Sequence, residues 1–261
     1  MNCLIETALL TNGLRSIANE ELAQSWHCPD AILAWVDGGE LKLGPIGEYL
    51  PFRERSEELI RIDCDHLEEA LQTGASGALT ASGTMAVCRR LDIPMAITCG
   101  MGGIGDLRGE ELCPDLPALM NIPVALISTS PKDMLDRPAT LDWLRRHGVH
   151  TAGEPCTGYL FCGEPVALEL PLSSCNNEAA VRRLTANGGL LILNPIPEKE
   201  RVQDRSILVD AIKAGKQAEA EGHYYHPAAN GEIDRRTDGY SSRIQLESIQ
   251  QNYLLAKSIM D

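Results

Sequence analysis

Lys132 is the residue of this sequence best placed to act as a nucleophile. It follows the apolar run at residues 123–128, whereas the other five lysines fall in a hairpin, in a long charged segment or near the chain end. The run predicts a buried strand, and an amine at the end of such a strand is partly desolvated, which favours its neutral, nucleophilic form. A solvated lysine at the start of a helix is the alternative interpretation.

Two further polar residues sit beside predicted strands. Glu6 lies between Ile5 and Leu9 in the apolar run at residues 3–10, where a carboxyl group shielded from water could act as a general acid. A carboxylate facing water at the end of the strand is the alternative. Asn194 precedes two prolines that end the run at residues 190–194, and its amide could bind a sugar hydroxyl or a base carbonyl. The alternative for Asn194 is a turn residue.

The glycine-rich segment at residues 100–105 fits the GxGxxG pattern of dinucleotide-binding proteins and follows a predicted strand. No helix is expected after it, and no acidic residue ends a second strand about 20 residues later, so the sequence argues against a nicotinamide cofactor. Glycines such as Gly102 and Gly103 instead allow backbone N–H groups to approach a ligand closely.

A group of carboxylates follows this loop: Asp106, Glu110, Glu111 and Asp115. Oxygen-only ligands suit Mg²⁺ or Mn²⁺, whereas a solvated loop is the alternative interpretation. The six histidines show no spacing typical of metal ligands.

The order of apolar runs predicts an α/β fold. Short runs that indicate strands alternate with amphipathic segments, so we expect a mostly parallel sheet covered by helices on both faces. Ligands of such sheets bind beyond the carboxyl ends of the strands. Predicted strands lie at residues 3–10, 31–36, 40–43, 95–99, 123–128, 149–152 and 190–194. Predicted helices lie at 16–25, 77–90 (which begins with small residues and becomes helical), 140–146, 198–221 and 242–260.

Composition excludes several classes of protein. The 261 residues carry a formal net charge of −14, which disfavours binding to nucleic acid or to anionic membranes, and no apolar run is long enough to cross a bilayer. Nine cysteines without a CxxC pair, and the lack of a signal peptide, indicate reduced thiols and a cytoplasmic location. No linker divides the chain, so residues 1–261 are expected to form one domain.

Six motifs in the same order resemble the pseudouridine-5'-phosphate glycosidase family. They are ETALLTNG at residues 6–13, AWVDG at 34–38, SGTM at 82–85, GGIG at 102–105, PKDMLD at 131–136 and NPIPE at 194–198. Each motif is weak by itself, but six in register over nearly the whole chain are specific.

The resemblance implies a three-layer α/β/α enzyme, usually a homotrimer, with a divalent metal that is typically Mn²⁺. Enzymes of this family reversibly cleave the C–C glycosidic bond of pseudouridine 5'-phosphate to uracil and ribose 5-phosphate through a lysine adduct. By position, Lys132 resembles the lysine, Glu6 the proton-transferring glutamate and Asn194 the asparagine that steadies the base or the adduct. Asp115 resembles the metal-binding aspartate.

The departures from the family fall largely on positions that hold the phosphate. In this sequence we expect the substrate or its phosphate to be bound by Arg61, Thr84, Gly102, Gly103 and Arg108. Arg61 stands where the family has a lysine, residues 105–109 lack a family histidine, and Met101 and Cys113 replace hydroxyl side chains. Arginine still binds anions, and does so bidentately. We therefore expect either a different C-ribosyl substrate or a phosphate held differently, by Arg61 and Arg108.

Two other functions remain open at this stage. The first is a C-glycoside synthase that joins ribose 5-phosphate to another heterocycle in a specialised pathway. The second is a non-catalytic protein that binds sugar phosphates, although binding alone requires no nucleophile such as Lys132.

Overall fold

The central sheet is built from short, continuously apolar strands. The computed structural model describes residues 2–105, 113–186, 188–223 and 225–260. Its strands are β1 (Cys3–Ile5), β2 (Leu33–Asp37), β3 (Glu40–Gly44), β4 (Ile60–Ile62), β5 (Gly77–Leu79), β6 (Met95–Ile97), β7 (Gly100–Met101), β8 (Ala125–Ser128), β9 (Ser130–Pro131), β10 (His150–Gly153) and β11 (Leu190–Leu193).

The described helices lie between these strands and after them. They are α1 (Asn19–Ser25), α2 (Ile46–Arg53), α3 (Leu67–Thr73), α4 (Ala81–Arg90), α5 (Asp115–Asn121), α6 (Arg137–Arg146), α7 (Glu178–Thr185), α8 (Ser206–Ala220), α9 (Tyr225–Arg236) and α10 (Tyr240–Met260). None of them is both long and apolar enough to cross a lipid bilayer.

The main sheet is mostly parallel. Its strand order is β10-β11-β8-β6-β1-β2-β5-β4, with β3 paired to β2. The strands from β10 to β2 run in the same direction, whereas β2 pairs with β3 and with β5 in antiparallel fashion. The glycines of the β2–β3 turn, Gly38 and Gly39, have φ values of 60° and 77°, which suit glycine in a tight hairpin. The predicted hairpin is confirmed.

Two apolar cores lie on opposite faces of this sheet. Successive strand residues point to opposite faces, so Ile5 joins the core that contains α10, whereas Leu4 joins the core that contains α4. A strand buried on both faces needs a continuous apolar run, which is what the sequence contains. The predicted three-layer α/β/α arrangement is confirmed.

Several predicted elements differ in extent from the structure: the segment predicted as a helix at 77–90 begins with the strand β5, and two other differences are larger. The strand predicted at residues 3–10 ends at Ile5, and the chain then turns into a single π-helical turn, Leu9–Gly13. The helix predicted at 198–221 is interrupted near its start. Arg201 is buried, and its guanidinium donates two hydrogen bonds to the Ile196 carbonyl (2.9 and 2.6 Å). The Val202 N–H donates to the Leu160 carbonyl instead of to a helical partner. Only α8 is helical over that stretch, after a short 3-10 turn.

Candidate active site

Glu6 follows β1 and is removed from water. Its side chain is 6% exposed, and Oε1 accepts a hydrogen bond of 2.7 Å from the Thr98 hydroxyl, which follows the adjacent strand β6. Burial raises the pKa of Glu6 to about 7, although the hydrogen bond from Thr98 and the charges of Lys132 and Arg61 oppose this shift. The carboxyl group can therefore hold or release a proton near neutral pH, and the solvent-facing alternative is excluded.

Lys132 is half-buried directly after the short strand β9. That strand pairs in parallel with β7, and the Lys132 N–H donates to the Met101 carbonyl (3.2 Å), so the loop that carries Lys132 lies beside the glycine-rich segment. Among the residues that the structure describes, none makes a hydrogen bond or ion pair with its ammonium group. The amine is thus left available to a ligand.

Both groups line the smaller of two adjacent chambers, which share Arg61, Thr80, Asp115, Lys132 and others among their lining residues. The larger chamber, called the outer chamber here, has a volume of about 830 Å³. The smaller one, called the inner chamber, has about 50 Å³ and is lined in part by Glu6 and Lys132. A ligand that enters the inner chamber would lie next to both groups.

Arg61, on β4, lines both chambers. Like Lys132, it is half-buried and makes no ion pair or hydrogen bond with any described side chain. Partly buried cations usually pair with acidic groups, so an unpaired guanidinium facing a cavity is suited to an anionic ligand.

Asp115, at the start of α5, is fixed by backbone N–H groups. It is 7% exposed; Oδ1 accepts from the Ser82 N–H (3.1 Å) and Oδ2 from the Gly102 N–H (2.8 Å). A Cβ at position 102 would come within 2.0 Å of the Cys113 Sγ and 3.2 Å of Asp115 Oδ2, so only glycine allows this contact. Gly102 therefore positions the carboxylate.

Asp115 fits a metal ion only in part. Each of its oxygens keeps a lone pair and the residue lines the cavity, but within the described ranges there is no group of three histidines, cysteines or carboxylates that could hold a metal. An ion bound here would keep mostly water ligands. The other carboxylates considered from the sequence, Asp106, Glu110 and Glu111, lie outside the described residues, as does Arg108.

Asn194 lies away from the lining of both chambers. Its Nδ2 donates to Asn252 Oδ1 (3.0 Å), and Asn252 in turn donates to the Thr98 carbonyl (2.7 Å) and to the Thr129 hydroxyl (3.2 Å). Asn194 is therefore connected to Glu6 through Asn252 and Thr98 rather than by contact.

Thr84 and Gly103 also lie outside the lining of the two chambers. The Thr84 hydroxyl is buried and donates to the Thr80 carbonyl in its own helix (2.8 Å). A Cβ at position 103 would meet the Thr140 hydroxyl at 2.5 Å, so Gly103 allows the loop to pack closely on α6. Neither residue therefore has a contact with the cavity that would support its predicted role in binding.

Asp133 was missed by the reasoning from the sequence. Its side chain, 6% exposed, accepts hydrogen bonds from the N–H groups of Tyr159, Leu160 and Phe161 at 2.9, 2.7 and 3.0 Å. Tyr159 lines the inner chamber, so Asp133 fixes the loop that closes the cavity beside Lys132. Its position next to Lys132 in the PKDMLD motif is the one signal that could have indicated it.

Comparison with known proteins connects this cavity to a family. The family described as indigoidine synthase A like protein matches residues 6–260. The chain belongs to this family. The chain is 27% identical to a pseudouridine-5'-phosphate glycosidase of Methylobacterium nodulans over 98% of this chain and 81% of the relative. It is 26% identical to one of Petrotoga mobilis, over 98% and 89%.

Two solved structures are similar to the chain in fold. The prealnumycin C-glycosynthase AlnA, in complex with ribulose 5-phosphate, superposes with a TM-score of 0.76 at 21% identity and covers 98% of this chain and 91% of that one. An indigoidine synthase A-like protein of Thermotoga maritima gives 0.79 at 19% identity, with the same coverage. The predicted family, its fold and the prediction of an enzyme of this family are confirmed.

Proposed function

We propose that the protein makes and breaks the C–C glycosidic bond of pseudouridine 5'-phosphate or a closely related C-ribosyl compound through an adduct on Lys132. The observation that carries this proposal is the inner chamber, where an amine with no partner among the described residues lies with a buried carboxyl group that titrates near pH 7. The pseudouridine-5'-phosphate glycosidases among its relatives support the same chemistry.

The C–C bond requires covalent chemistry because its carbon leaving atom cannot be protonated in advance. In the cleavage direction, Lys132 Nζ bonds to the sugar's C1 as the C1–O ring bond breaks, and the ring oxygen takes a proton. The bonded nitrogen loses a proton, and its lone pair then forms an imine with C1 as the bond to the base breaks. The electron pair of that bond stays on the base carbon, which takes up a proton. Water releases the aldehyde sugar. Glu6 is the group placed to supply and recover these protons.

Arg61 is the described residue suited to hold an anionic group on the sugar. The arginine in place of the family's lysine can grip a phosphate through two parallel N–H donors. Arg108 remains a second candidate for this role. We expect Arg61→Ala to weaken the binding of ribose 5-phosphate and to leave the binding of ribose unchanged.

Trapping of the imine tests the proposal directly. Borohydride reduction in the presence of ribose 5-phosphate should add a covalent mass to the protein, and peptide mapping should place it on Lys132. Lys132→Arg keeps the charge but forms no imine, so it should fold normally, give no adduct and lose turnover. Lys199→Ala, which removes an exposed lysine, is the matched control.

Four results would contradict or redirect the proposal. An adduct on another lysine, or turnover by Lys132→Arg, would contradict it. Reversible binding of ribose 5-phosphate without an adduct would favour the non-catalytic sugar-phosphate binding protein. If Lys132→Arg unfolded, the role of the lysine would be structural.

A C-glycoside synthase is the second candidate within the same chemistry. The altered residues at the family's phosphate positions, Met101 and Cys113, favour a substrate other than pseudouridine 5'-phosphate. Incubation of the enzyme with ribose 5-phosphate and a panel of heterocycles distinguishes the two. Product formation from a base other than uracil, without cleavage of pseudouridine 5'-phosphate, would support the synthase.

Asp115 is the residue that would hold a divalent cation, which we propose is Mn²⁺. Such an ion supplies positive charge to a substrate oxygen. We expect Asp115→Asn to weaken Mn²⁺ binding, measured by water-proton relaxation, and to lower activity with only partial rescue by added Mn²⁺. An unchanged Mn²⁺ affinity would indicate that Glu110 or Glu111 binds the ion instead.

We also propose that the protein forms a homotrimer, and light scattering can test this.

A further inference from the structure

Two buried carboxamides in the inner chamber have no hydrogen-bond partner. Asn12 is 8% exposed and Asn230 is 7% exposed, and the Oδ1 atom of each is closed to solvent and unbonded. Both line the chamber that Glu6 and Lys132 also line. Because an unsatisfied buried polar group is costly, two of them in one small chamber indicate a function other than stability.

The turn that carries Asn12 is rigid. The buried guanidinium of Arg53 donates to the carbonyls of Leu10 (2.6 Å), Leu14 (2.7 Å) and Ile17 (2.8 Å), and the Thr11 hydroxyl bonds to Tyr49. The neighbours of Asn12 are therefore hydrogen-bonded, whereas its own side chain is not. Single π-helical turns of this kind occur often at functional sites.

Asn230 reaches the same chamber from the other side. It lies on α9, which packs against the π-helical turn at residues 9–13. The terminal torsion of an asparagine is soft, so a small rotation brings either the oxygen or the amide nitrogen of each side chain to a ligand. Two carboxamides on two packed elements thus line the same chamber.

We propose that Asn12 and Asn230 recognise the heterocyclic base by its lactam edge, the –CO–NH– unit of a pyrimidinedione. A carboxamide and a lactam are complementary, since each offers one donor and one acceptor side by side. This inference rests on the proposed function, because it places the base next to the carbon that bonds to Lys132.

The rest of the chamber offers both apolar and polar contacts. Its other walls include Ala8, Leu9, Ala81 and the ring of Tyr159, whose hydroxyl is already bonded to Gln245 (2.8 Å). Glu6, Arg61, Thr80, Asp115 and Lys132 supply most of the polar part of the lining, and at about 50 Å³ the chamber has room for the edge of a planar base rather than for a whole ring.

Direct binding of uracil tests this inference. We expect calorimetry in the presence of ribose 5-phosphate to show uracil binding to the native protein, and about tenfold weaker binding to Asn12→Leu and to Asn230→Leu. The affinity for ribose 5-phosphate alone should change by less than about twofold. 3-Methyluracil, which lacks the N3–H donor, should bind the native protein more weakly than uracil does, and both variants should lose this preference.

Thermal stability separates recognition from a structural role. Leucine removes an unsatisfied buried oxygen, so neither variant should melt below the native protein, whereas a structural asparagine would destabilise it when replaced. Asn121→Leu, an exposed change on α5, is the control.

The possible failures are distinct. Absence of uracil binding by the native protein, unchanged uracil affinity in both variants, or a loss that falls on ribose 5-phosphate would overturn this inference. Absence of a Lys132 adduct while uracil still binds through the two asparagines would overturn the proposed function and leave the inference standing.

Discussion

Glu6 shows how burial changes the chemistry of a single residue. Its carboxyl group lies at the carboxyl end of β1, where the N–H of Glu6 still donates to the Ile97 carbonyl (2.9 Å) and continues the sheet. The side chain is therefore held between two strand ends and away from water. Burial, the largest of the contributing effects, raises its pKa to about 7, which is a suitable value for proton transfer near neutral pH.

The raised pKa of Glu6 predicts a pH dependence of stability. The folded state keeps the proton up to about pH 7, whereas the unfolded chain releases it near the ordinary value of 4.5. Below pH 4.5 the buried carboxyl group of Glu6 therefore costs no folding free energy. The protein loses stability as the pH rises from 4.5 through 7. We expect the native protein to lose roughly 3 kcal/mol of unfolding free energy between pH 4.5 and 8, since each pKa unit corresponds to about 1.4 kcal/mol. Glu6→Gln should not show this loss.

Urea unfolding at the two pH values measures this difference. Glu20→Gln removes an exposed carboxyl group and serves as the control. Equal pH dependence in the native protein and in Glu6→Gln would show that the carboxyl group is solvated. Glu6→Gln should also lose turnover, because glutamine cannot transfer a proton.

At the scale of the element, the segment that follows β9 carries two aspartates with different tasks. Asp133 accepts three backbone N–H groups of a distant loop, whereas Asp136 caps α6 by accepting the Ala139 N–H at 2.9 Å. The first contact joins two loops at the cavity, and the second is local to one helix. Lys132 is held between the glycine-rich segment and the loop fixed by Asp133.

The same substitution at both positions separates the two tasks. Asn at position 133 would turn an amide donor towards backbone donors, so we expect Asp133→Asn to lower the free energy of unfolding by about 2–3 kcal/mol. Asparagine is a good helix N-cap, so Asp136→Asn should change it by less than about 0.5 kcal/mol. Urea unfolding measures both values, and trapping on Lys132 should be slower in Asp133→Asn alone. Equal effects of the two changes would contradict the loop-fixing role.

At the scale of the whole molecule, α10 connects the ends of three strands. Asn252 is fully buried and contacts Thr98, Thr129 and Asn194, which precede it by 154, 123 and 58 residues. These residues follow β6, β8 and β11, so one side chain of the last helix fixes the sheet edge that holds Glu6. Asn194 therefore belongs to the hydrogen-bond network that holds Glu6, although it lies outside the cavity.

Removal of this contact should affect both stability and the site. Asn252→Ala leaves the Thr98 carbonyl and the Asn194 amide without their partner, so we expect a loss of about 2 kcal/mol in unfolding free energy. Turnover should also fall, because Thr98 orients Glu6. Gln251→Ala, on the exposed face of the same helix, should change stability by less than about 0.5 kcal/mol. Chemical denaturation and turnover assays check both values, and a neutral Asn252→Ala would contradict the role of α10 at the site.

Local patterns predicted much of the fold. The strand at residues 123–128 and the hairpin that joins β2 to β3 were placed correctly, because a continuous apolar run or a glycine turn needs no distant partner to be recognised. The helix at 198–221 was overextended, because a buried Arg201 that bonds to Ile196 is a tertiary feature. Charge and periodicity alone could not indicate it.

The sequence by itself determined the α/β class and the family, and it singled out Lys132, Glu6 and Asp115, because residue types, apolar runs and motif order are local properties of the chain. Only the tertiary structure decided that these three line one cavity, that Asn194 bonds to Asn252 instead, and that Asn12 and Asn230 are buried without partners. Burial and hydrogen bonding depend on which distant segments pack together, and a single sequence does not specify those contacts position by position.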